Sequence, residues 1–243
     1  MKRVNRSRGS ILSWMLVAAV LAVTSPALAK NPNPGVSPPN SNAYGKSYSD
    51  WTAEWWKWAL KIPASGHPWG GGDCAQGQSG KVFHIAADFT ETPGLPCTIP
   101  AGKAVFVAIV NVECSTVEGP PFFGADEAEL TECATCWGDH IVPSSVEATL
   151  DGVPLGDLDS YRAVSPMFTF EYPEDDVFLI PGGPGTGESV SDGYWLMLPP
   201  LSAGEHTLSF HGAFVFPVGE TCGGGAFDFD FGGDYVLTVE GGK

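Results

Sequence analysis

Hydrophobic positions near residue 50 recur with the spacing of an amphipathic helix. At about 100° per residue, four apolar positions of DWTAEWWKWALKIP fall within roughly 60° of one another and form one stripe. The sequence predicts a helix that is capped by Ser49, ends at Pro63 and docks on a sheet. Trp56 lies off the stripe, so we expect it to be free to form an aromatic wall of a cleft. The stripe consists of Trp51, Trp55, Trp58 and Ile62.

Beyond residue 80 the pattern changes to that of strands. KVFHIAADF alternates, and AGKAVFVAIVNVEC is a near-continuous apolar run that is typical of a central strand. VEATLDGVPL predicts a hairpin with Asp-Gly at its turn, and many short strands follow between glycines and prolines. The predicted fold is mainly β, an immunoglobulin-like or jelly-roll-type β-sandwich. The Trp-rich helix docks on it, and residues 124–137 form a second short helix tied by disulfides.

The first residues predict a signal peptide. A basic start precedes the apolar run ILSWMLVAAVLAV, and Ala27-x-Ala29 predicts cleavage after Ala29. Residues 1–29 would then be removed, residues 30–43 form a Pro/Asn/Ser-rich linker, and residues 44–243 form one β-rich domain with alternative halves 44–143 and 144–243. We therefore expect an exported protein, periplasmic or extracellular, with no transmembrane segment after cleavage.

The net negative charge of the chain excludes some classes of binding partner. Removing residues 1–29 leaves 8 basic and 28 acidic residues, a formal charge of 8 minus 28, or −20. So acidic a chain is a poor partner for nucleic acid or anionic lipid. The balance suits a cation, a neutral glycan or a cationic ligand, and solubility alone is the other explanation.

The six cysteines predict three disulfides in an exported chain. Cys74 and Cys97 bracket one apolar segment and are the expected pair, while the pairing of Cys114, Cys133, Cys136 and Cys222 stays open among the alternatives. Cys133-x-x-Cys136 with His140 also has features of half a zinc site or a redox pair, but the remaining parts of either are missing from the sequence.

Two carboxylates stand at the end of the central strand. Simple alternation places Glu113 on the face that carries Val105, Val107, Ile109 and Asn111, and Glu118 follows in the next loop. A carboxylate at the rim of a buried strand can act as a general acid or base, and a second one nearby suits glycoside cleavage. The alternative is that Glu113 binds loop backbone. If the protein is an enzyme, the catalytic candidates are His67, Asp73, Glu113 and Glu118.

Other polar and aromatic residues predict binding rather than catalysis. The glycine-rich loop GHPWGGGDCAQGQSG contains Trp69 and Gln78, which join Trp56 and Asn111 as candidate ligand-binding residues. In FDFDFGGDY, the carboxylates of Asp228, Asp230 and Asp234 lie around an expected Gly-Gly turn. Three carboxylates near a bend can hold calcium, which prefers oxygen ligands, and a solvated strand face is the alternative.

Several stretches resemble those of a family of exported bacterial proteins, to which no activity is assigned. They are WTAEWWKWALKIP, GQSGKVF, CTIPAGKAVFVAIVNVEC and DGYWLMLPPLSAGEHTLSFHG, and the resemblance covers most of residues 47–240. It implies bacterial origin, export and a single β-rich unit, and it carries no functional residue to this chain.

These observations favour a non-catalytic role in binding a glycan or an envelope component, or an envelope-associated role, and calcium is the cofactor that the aspartates predict. A carbohydrate-active hydrolase or lyase that uses carboxylates is the second hypothesis. A purely structural envelope protein is the third.

Overall fold

The computed structural model describes residues 35–242, so the predicted signal peptide and the first residues of the linker lie outside the described residues. Two α-helices are present, α1 (Tyr48–Leu60) and α2 (Glu127–Asp139). The ten strands are β1 (Val82–Ile85), β2 (Leu95–Ile99), β3 (Ala104–Ser115), β4 (Glu147–Leu150), β5 (Val153–Pro154), β6 (Arg162–Val164), β7 (Phe168–Tyr172), β8 (Gly185–Leu198), β9 (Gly204–Phe214) and β10 (Phe229–Val239).

The strands form two sheets, which confirms the predicted mainly β sandwich class. The first sheet has the order β1-β3-β8-β6, and β7 also pairs with β8; the second has the order β2-β10-β9-β4-β5. Most pairs are antiparallel, but β1 pairs with β3 and β2 pairs with β10 in parallel. The sheets approach closely at Gly212, where an added Cβ would lie 2.5 Å from the Val110 side chain.

Helix α1 forms where the Trp-rich stripe predicts it, but Ser47 caps it instead of Ser49. The Ser47 hydroxyl accepts from the Asp50 N–H at 3.1 Å, and the Asp50 carboxylate accepts from the Ser47 N–H at 3.2 Å. This reciprocal capping box satisfies two otherwise free backbone donors, which Ser49 could not do from within the first turn. The helix ends at Leu60, before Pro63.

The tryptophans of the stripe fasten α1 through hydrogen bonds as well as packing. Each one donates its indole N–H to a backbone carbonyl outside the helix. The ring of Trp55 also lies edge-on to Trp195 of β8, with centroids 5.5 Å apart. The pairs are Trp51 to Ala43 O at 2.8 Å, Trp55 to Ile85 O at 3.0 Å and Trp58 to Gln76 O at 2.9 Å.

Asp126 caps the N-terminus of helix α2, and its carboxylate accepts from the backbone N–H groups of Ala128 and Glu129. It is held by two disulfides, one to β3 and one to the loop before β10. The predicted Cys74–Cys97 pairing is present, and with it all six cysteines are paired. The three disulfides are Cys74–Cys97, Cys114–Cys133 and Cys136–Cys222.

The predicted Asp-Gly hairpin joins β4 to β5. Asp151 and Gly152 both have positive φ, 52° and 71°. Two successive left-handed residues are what a two-residue hairpin turn needs, because that turn matches the twist of the flanking strands.

The expected Gly-Gly turn near residue 232 is wrong. Gly232 and Gly233 lie inside β10 and pair with His211 and Phe210 of β9. An added Cβ at Gly232 would lie 2.1 Å from the Phe210 carbonyl oxygen. These glycines therefore allow close packing within the sheet and do not bend the chain.

Arg162 is partly exposed and is held against the sandwich by two carboxylates. It contacts Asp192 of β8, which has no exposed surface, through Nε at 3.0 Å, and Asp139 at the end of α2 through Nη2 at 2.7 Å. An added Cβ at Gly138 would lie 2.3 Å from the Asp192 carboxylate, so the glycine lets α2 reach this ion pair. Within residues 35–242, no helix is long and apolar enough to cross a membrane.

Candidate ligand-binding cleft

A cavity of about 260 Å³, which we call the aromatic cleft, opens beside the second half of β3. Eleven of its sixteen lining residues are aromatic, and the polar ones are an amide and two carboxyls. The lining comprises Trp55, Trp56, Trp69, Ala87, Phe89, Asn111, Val112, Glu113, Glu118, Phe122, Trp137, Phe178, Phe214, Phe227, Phe229 and Phe231.

The cleft exists because β1 is short. It pairs only with Ala104–Val107 of β3, and the chain then leaves the sheet. The Asp88 N–H donates to Gly232 O at 2.8 Å and the Phe89 N–H to Trp69 O at 2.9 Å, so this segment crosses towards β10. Beyond Val107, β3 keeps β8 as its strand partner in the described sheets, and its other edge borders the cleft.

A bulge in β3 decides which side chains reach the cleft. The pairing with β8 shifts between Ala108 and Val110, so Ile109 is the extra residue. Asn111 and Glu113 therefore share a face with Phe106 and Ala108. The expectation that they continue the face of Val105, Val107 and Ile109 is wrong, because simple alternation ignores the extra residue.

Glu113 and Glu118 form a buried carboxyl pair in the cleft wall. The Ser189 hydroxyl donates to Glu113 Oε2. The Ser115 hydroxyl donates to Glu118 Oε2 at 2.9 Å, and the Glu118 N–H donates to Ser115 Oγ at 3.2 Å. Glu113 Oε1 has no hydrogen-bond partner among the described residues when the carboxyl is counted as an acceptor. A protonated Glu113 can instead donate to Glu118.

The electrostatics of the pair agree with one shared proton. Burial raises the pKa of Glu113 well above its usual range, and repulsion from Glu118 raises it further. Burial also raises the pKa of Glu118, and the hydrogen bonds from Glu113 and Ser115 oppose that rise. Two adjacent carboxyls cannot both ionise easily, so one remains protonated where an isolated glutamic acid would have lost its proton.

Aromatic rings form the walls and the mouth of the cleft. Trp56 contacts Trp69 with centroids 6.0 Å apart, and Trp69 contacts Phe89 at 5.5 Å. Phe89, Phe227 and Phe229 are 47%, 44% and 40% exposed, although each is large and apolar. Contiguous exposed apolar side chains around a cavity are characteristic of ligand-binding grooves.

Unpaired polar atoms lie beside these rings. Trp56 is only 4% exposed, and its indole N–H has no partner among the described residues. The same is true of Trp137 Nε1 and of Asn111 Oδ1. Because buried polar groups are usually satisfied, such atoms around one cavity are candidates to meet a ligand.

The structure brings together five of the residues singled out in the sequence. Trp56, Trp69, Asn111, Glu113 and Glu118 all line the aromatic cleft.

Gln78, Asp73 and His67 do not line the cleft. Gln78 bonds to backbone, accepting from the His84 N–H at 2.9 Å and donating to His84 O at 2.7 Å. Asp73 accepts from the Ala75 N–H at 2.9 Å. These two side chains hold loop conformations.

His67 is buried beneath Trp69 in a structural role. Its Nδ1 accepts from the Trp69 N–H at 3.1 Å, so the proton is assigned to Nε2, which donates to Ala59 O at 3.0 Å. Burial lowers the pKa of His67, which keeps this neutral form.

The structure does not bring Asp228, Asp230 and Asp234 together around one point. Asp230 and Asp234 are four residues apart in β10, which separates their backbones by about 13 Å. Asp230 pairs with His211, and Asp228 accepts from the Phe216 N–H at 2.8 Å. The expectation of three convergent carboxylates depended on the turn that β10 does not make.

One group among residues 35–242 places three potential ligand atoms within 4.8 Å, namely Cys136, His140 and Cys222. Both sulfurs belong to one disulfide, so neither is a thiolate that could bind zinc. His140 Nδ1 bonds to Cys136 O at 2.8 Å, and its ring stacks on Phe216 with centroids 3.9 Å apart. This corner has a structural role in joining α2 to the chain before β10.

Sequence reasoning missed the phenylalanines of the cleft. In FDFDF, the acidic residues predicted a calcium site, but Phe227, Phe229 and Phe231 are the residues that line the cavity. Trp137 of α2 also lines it and contacts Phe227 at 4.8 Å. The period-two pattern of FDFDF could have identified an aromatic strand face, but not what that face lies against.

Comparisons with known proteins add no function. No family model matches the chain, and no curated protein matches it. Among solved structures, the solution structure of amebosin is similar at 12% identity, covering 67% of this chain and 100% of that one, with a TM-score of 0.20. So low a TM-score supports neither a shared fold nor a shared activity, and the function has to be argued from the cleft.

Proposed function

We propose that this protein is an exported, non-catalytic binding protein that holds a small, largely apolar ligand in the aromatic cleft. The observation that carries the proposal is a cavity of about 260 Å³ with eleven aromatic lining residues and a mouth of exposed phenylalanines. Ligand sites are typically concave and apolar with a few polar groups. The three disulfides support export, because such bonds persist in oxidising compartments.

The chemistry of the lining favours an apolar ligand over an oligosaccharide. Asn111 and the Glu113–Glu118 pair are its polar side chains, apart from the indole N–H groups. A sugar carries hydroxyls on several sides and would leave many of them without partners in such a lining. An aromatic or aliphatic compound therefore fits the cleft better than a glycan does.

Binding of the neutral fluorophore N-phenyl-1-naphthylamine tests the proposal. We expect saturable binding with one site per chain, seen as increased fluorescence when the dye leaves water. Phe89→Ala removes an exposed wall that contacts Trp69, and we expect about three- to tenfold weaker binding from losing one aromatic contact. Phe123→Ala is the matched control, because Phe123 is 46% exposed and lies outside the cleft.

Either of two results would count against this function. The first is fluorescence that rises without saturation, which indicates dye bound at many weak surface sites. The second is an equal loss of affinity in Phe89→Ala and Phe123→Ala, which would place the dye away from the cleft.

Acid–base catalysis is the second candidate, favoured by one observation. Glu113 and Glu118 are adjacent in a cleft and share a proton, as paired catalytic carboxyls do. Glycosidases, however, keep their carboxyls about 5–9.5 Å apart to admit a sugar or water between them. Turnover of aryl glycosides or esters that is lost in Glu118→Gln would favour this candidate over the binding proposal.

A further inference from the structure

The carboxyl pair of the aromatic cleft has no basic counterpart. No lysine, arginine or histidine lines the cleft among the described residues. Glu113 is 3% exposed, and among the described residues no group donates a hydrogen bond to its Oε1. A buried carboxylate without a cation is costly, and the pair avoids that cost by retaining a proton.

The other groups around the pair do not supply positive charge. Ser189 and Ser115 donate hydroxyl protons to one oxygen of each carboxyl. Asp176 is the further charge that acts on Glu118, and it is also acidic. Every titratable group identified near the pair therefore has the same sign.

The aromatic walls favour positive charge as well. The face of an indole ring attracts a cation, more strongly where water is excluded. Trp55, Trp56, Trp69 and Trp137 all line the cleft with the two carboxyls. A carboxyl pair that carries negative charge, with tryptophan rings around one apolar cavity, is complementary to an ammonium group.

We propose that the ligand of the aromatic cleft is an organic cation, a primary or secondary ammonium group on an aromatic or aliphatic body. The proposal rests on the proposed function and names the ligand class. The body fills the apolar part of the cavity, and the ammonium N–H groups donate to Glu113 Oε1 and to the Glu118 carboxylate. Glu113 loses its proton to solvent as the cation enters, so one positive charge replaces one proton and the total charge of the site is conserved.

Calorimetric titration of the wild-type protein with 1-naphthylmethylammonium and with 1-naphthalenemethanol tests the ligand class. The two compounds share ring and length and differ in charge. At about pH 7 we expect the ammonium compound to bind about tenfold more tightly or better, through charge-assisted hydrogen bonds. Its heat of binding should vary with the ionisation heat of the buffer, because a proton is released, and its affinity should rise from pH 5 to pH 7.

Variants test the role of the carboxyls. Glu113→Gln and Glu118→Gln keep the shape of the side chain, and we expect each to remove most of the preference for the ammonium compound. Glu205→Gln changes an exposed glutamate of β9 and should leave the preference unchanged. Near-ultraviolet circular dichroism checks the folding of each variant, and the wild-type ligand comparison needs no variant.

The outcomes separate this inference from the proposed function. Equal affinity for the two naphthalene compounds, with N-phenyl-1-naphthylamine still bound, would overturn the cation assignment and leave the binding function standing. No saturable binding of any of the three compounds would overturn the proposed function itself. If Glu205→Gln removes the preference for the ammonium compound as completely as Glu113→Gln does, the cleft carboxyls do not have the role proposed for them.

Discussion

Trp55 and Trp56 are neighbouring, buried tryptophans that differ in one hydrogen bond. Trp55 is 1% exposed and donates to Ile85 O at 3.0 Å, whereas the buried Nε1 of Trp56 has no partner among the described residues. Replacing each tryptophan by phenylalanine removes the same atoms from two different hydrogen-bond environments. We predict that Trp55→Phe is clearly destabilising and that Trp56→Phe is neutral or stabilising.

The difference follows from two opposing effects. Losing ~40 Å² of buried ring surface at ~25 cal/mol per Å² costs about 1 kcal/mol in either variant. Trp55→Phe also loses a hydrogen bond worth about 1 kcal/mol, for a total of about 2–3 kcal/mol with the abandoned carbonyl. Trp56→Phe removes an unpaired buried donor, which returns about 1–3 kcal/mol, so the net change lies between about zero and a stabilisation of about 2 kcal/mol.

Urea unfolding of the two variants, followed by far-ultraviolet circular dichroism, measures the difference. We expect the free energy of unfolding of Trp55→Phe to be at least about 1 kcal/mol lower than that of Trp56→Phe, with the same m-value in urea for both variants. A loss in Trp56→Phe as large as that in Trp55→Phe would refute it, because the Trp56 indole N–H would then have a partner worth keeping. Trp56→Ala is less informative, since removing so buried a ring costs about 3–5 kcal/mol whatever its role.

Two further predictions concern charge. Arg162→Met leaves Asp192 buried without a cation and should lower the free energy of unfolding by about 3–5 kcal/mol, measured in urea. Lys61→Met, the control, breaks an exposed ion pair and should lower it by less than about 1 kcal/mol. Equal losses in the two variants would contradict this prediction. The hydrogen bond to Asp151 raises the pKa of His206, so its stabilising effect is complete below about pH 6.5 and is lost as pH rises through the raised value. His206→Gln should therefore lower the melting temperature more at pH 5 than at pH 9, and a pH-independent difference would be inconsistent with that pKa.

Local patterns in the sequence predicted the local structure. The Trp-rich stripe gave α1, the apolar run gave β3, and the Asp-Gly pair gave the β4–β5 turn, because each depends on neighbouring residues. The prediction of the α1 cap is wrong by two residues. Ser47 and Ser49 are the same residue type, and only the capping box that Ser47 forms with Asp50 distinguishes them.

The candidate site depended on contacts that periodicity does not contain. The single extra residue Ile109 moved Asn111 and Glu113 to the other face of β3, and no local signal marks such a bulge. The parallel pairing of β2 with β10 joins segments about 140 residues apart and helps to place Phe229 near Phe89. Glu113 and Glu118 were identified as a pair because they are close in sequence, and Trp56 and Trp69 as candidate binding residues, but the phenylalanines that complete the walls were not identified.

The central claim is that the aromatic cleft binds an organic cation beside Glu113 and Glu118. Two-dimensional proton–nitrogen NMR of the indole N–H groups, recorded while 1-naphthylmethylammonium is added, tests it most directly. Trp56 and Trp137 line the cleft with unpaired indoles, whereas Trp51 and Trp58 donate to backbone carbonyls outside it. We predict that the signals of Trp56 and Trp137 shift and saturate together while those of Trp51 and Trp58 stay in place. Unchanged Trp56 and Trp137 signals at high ligand concentration, or shifts confined to Trp51 and Trp58, would contradict the claim.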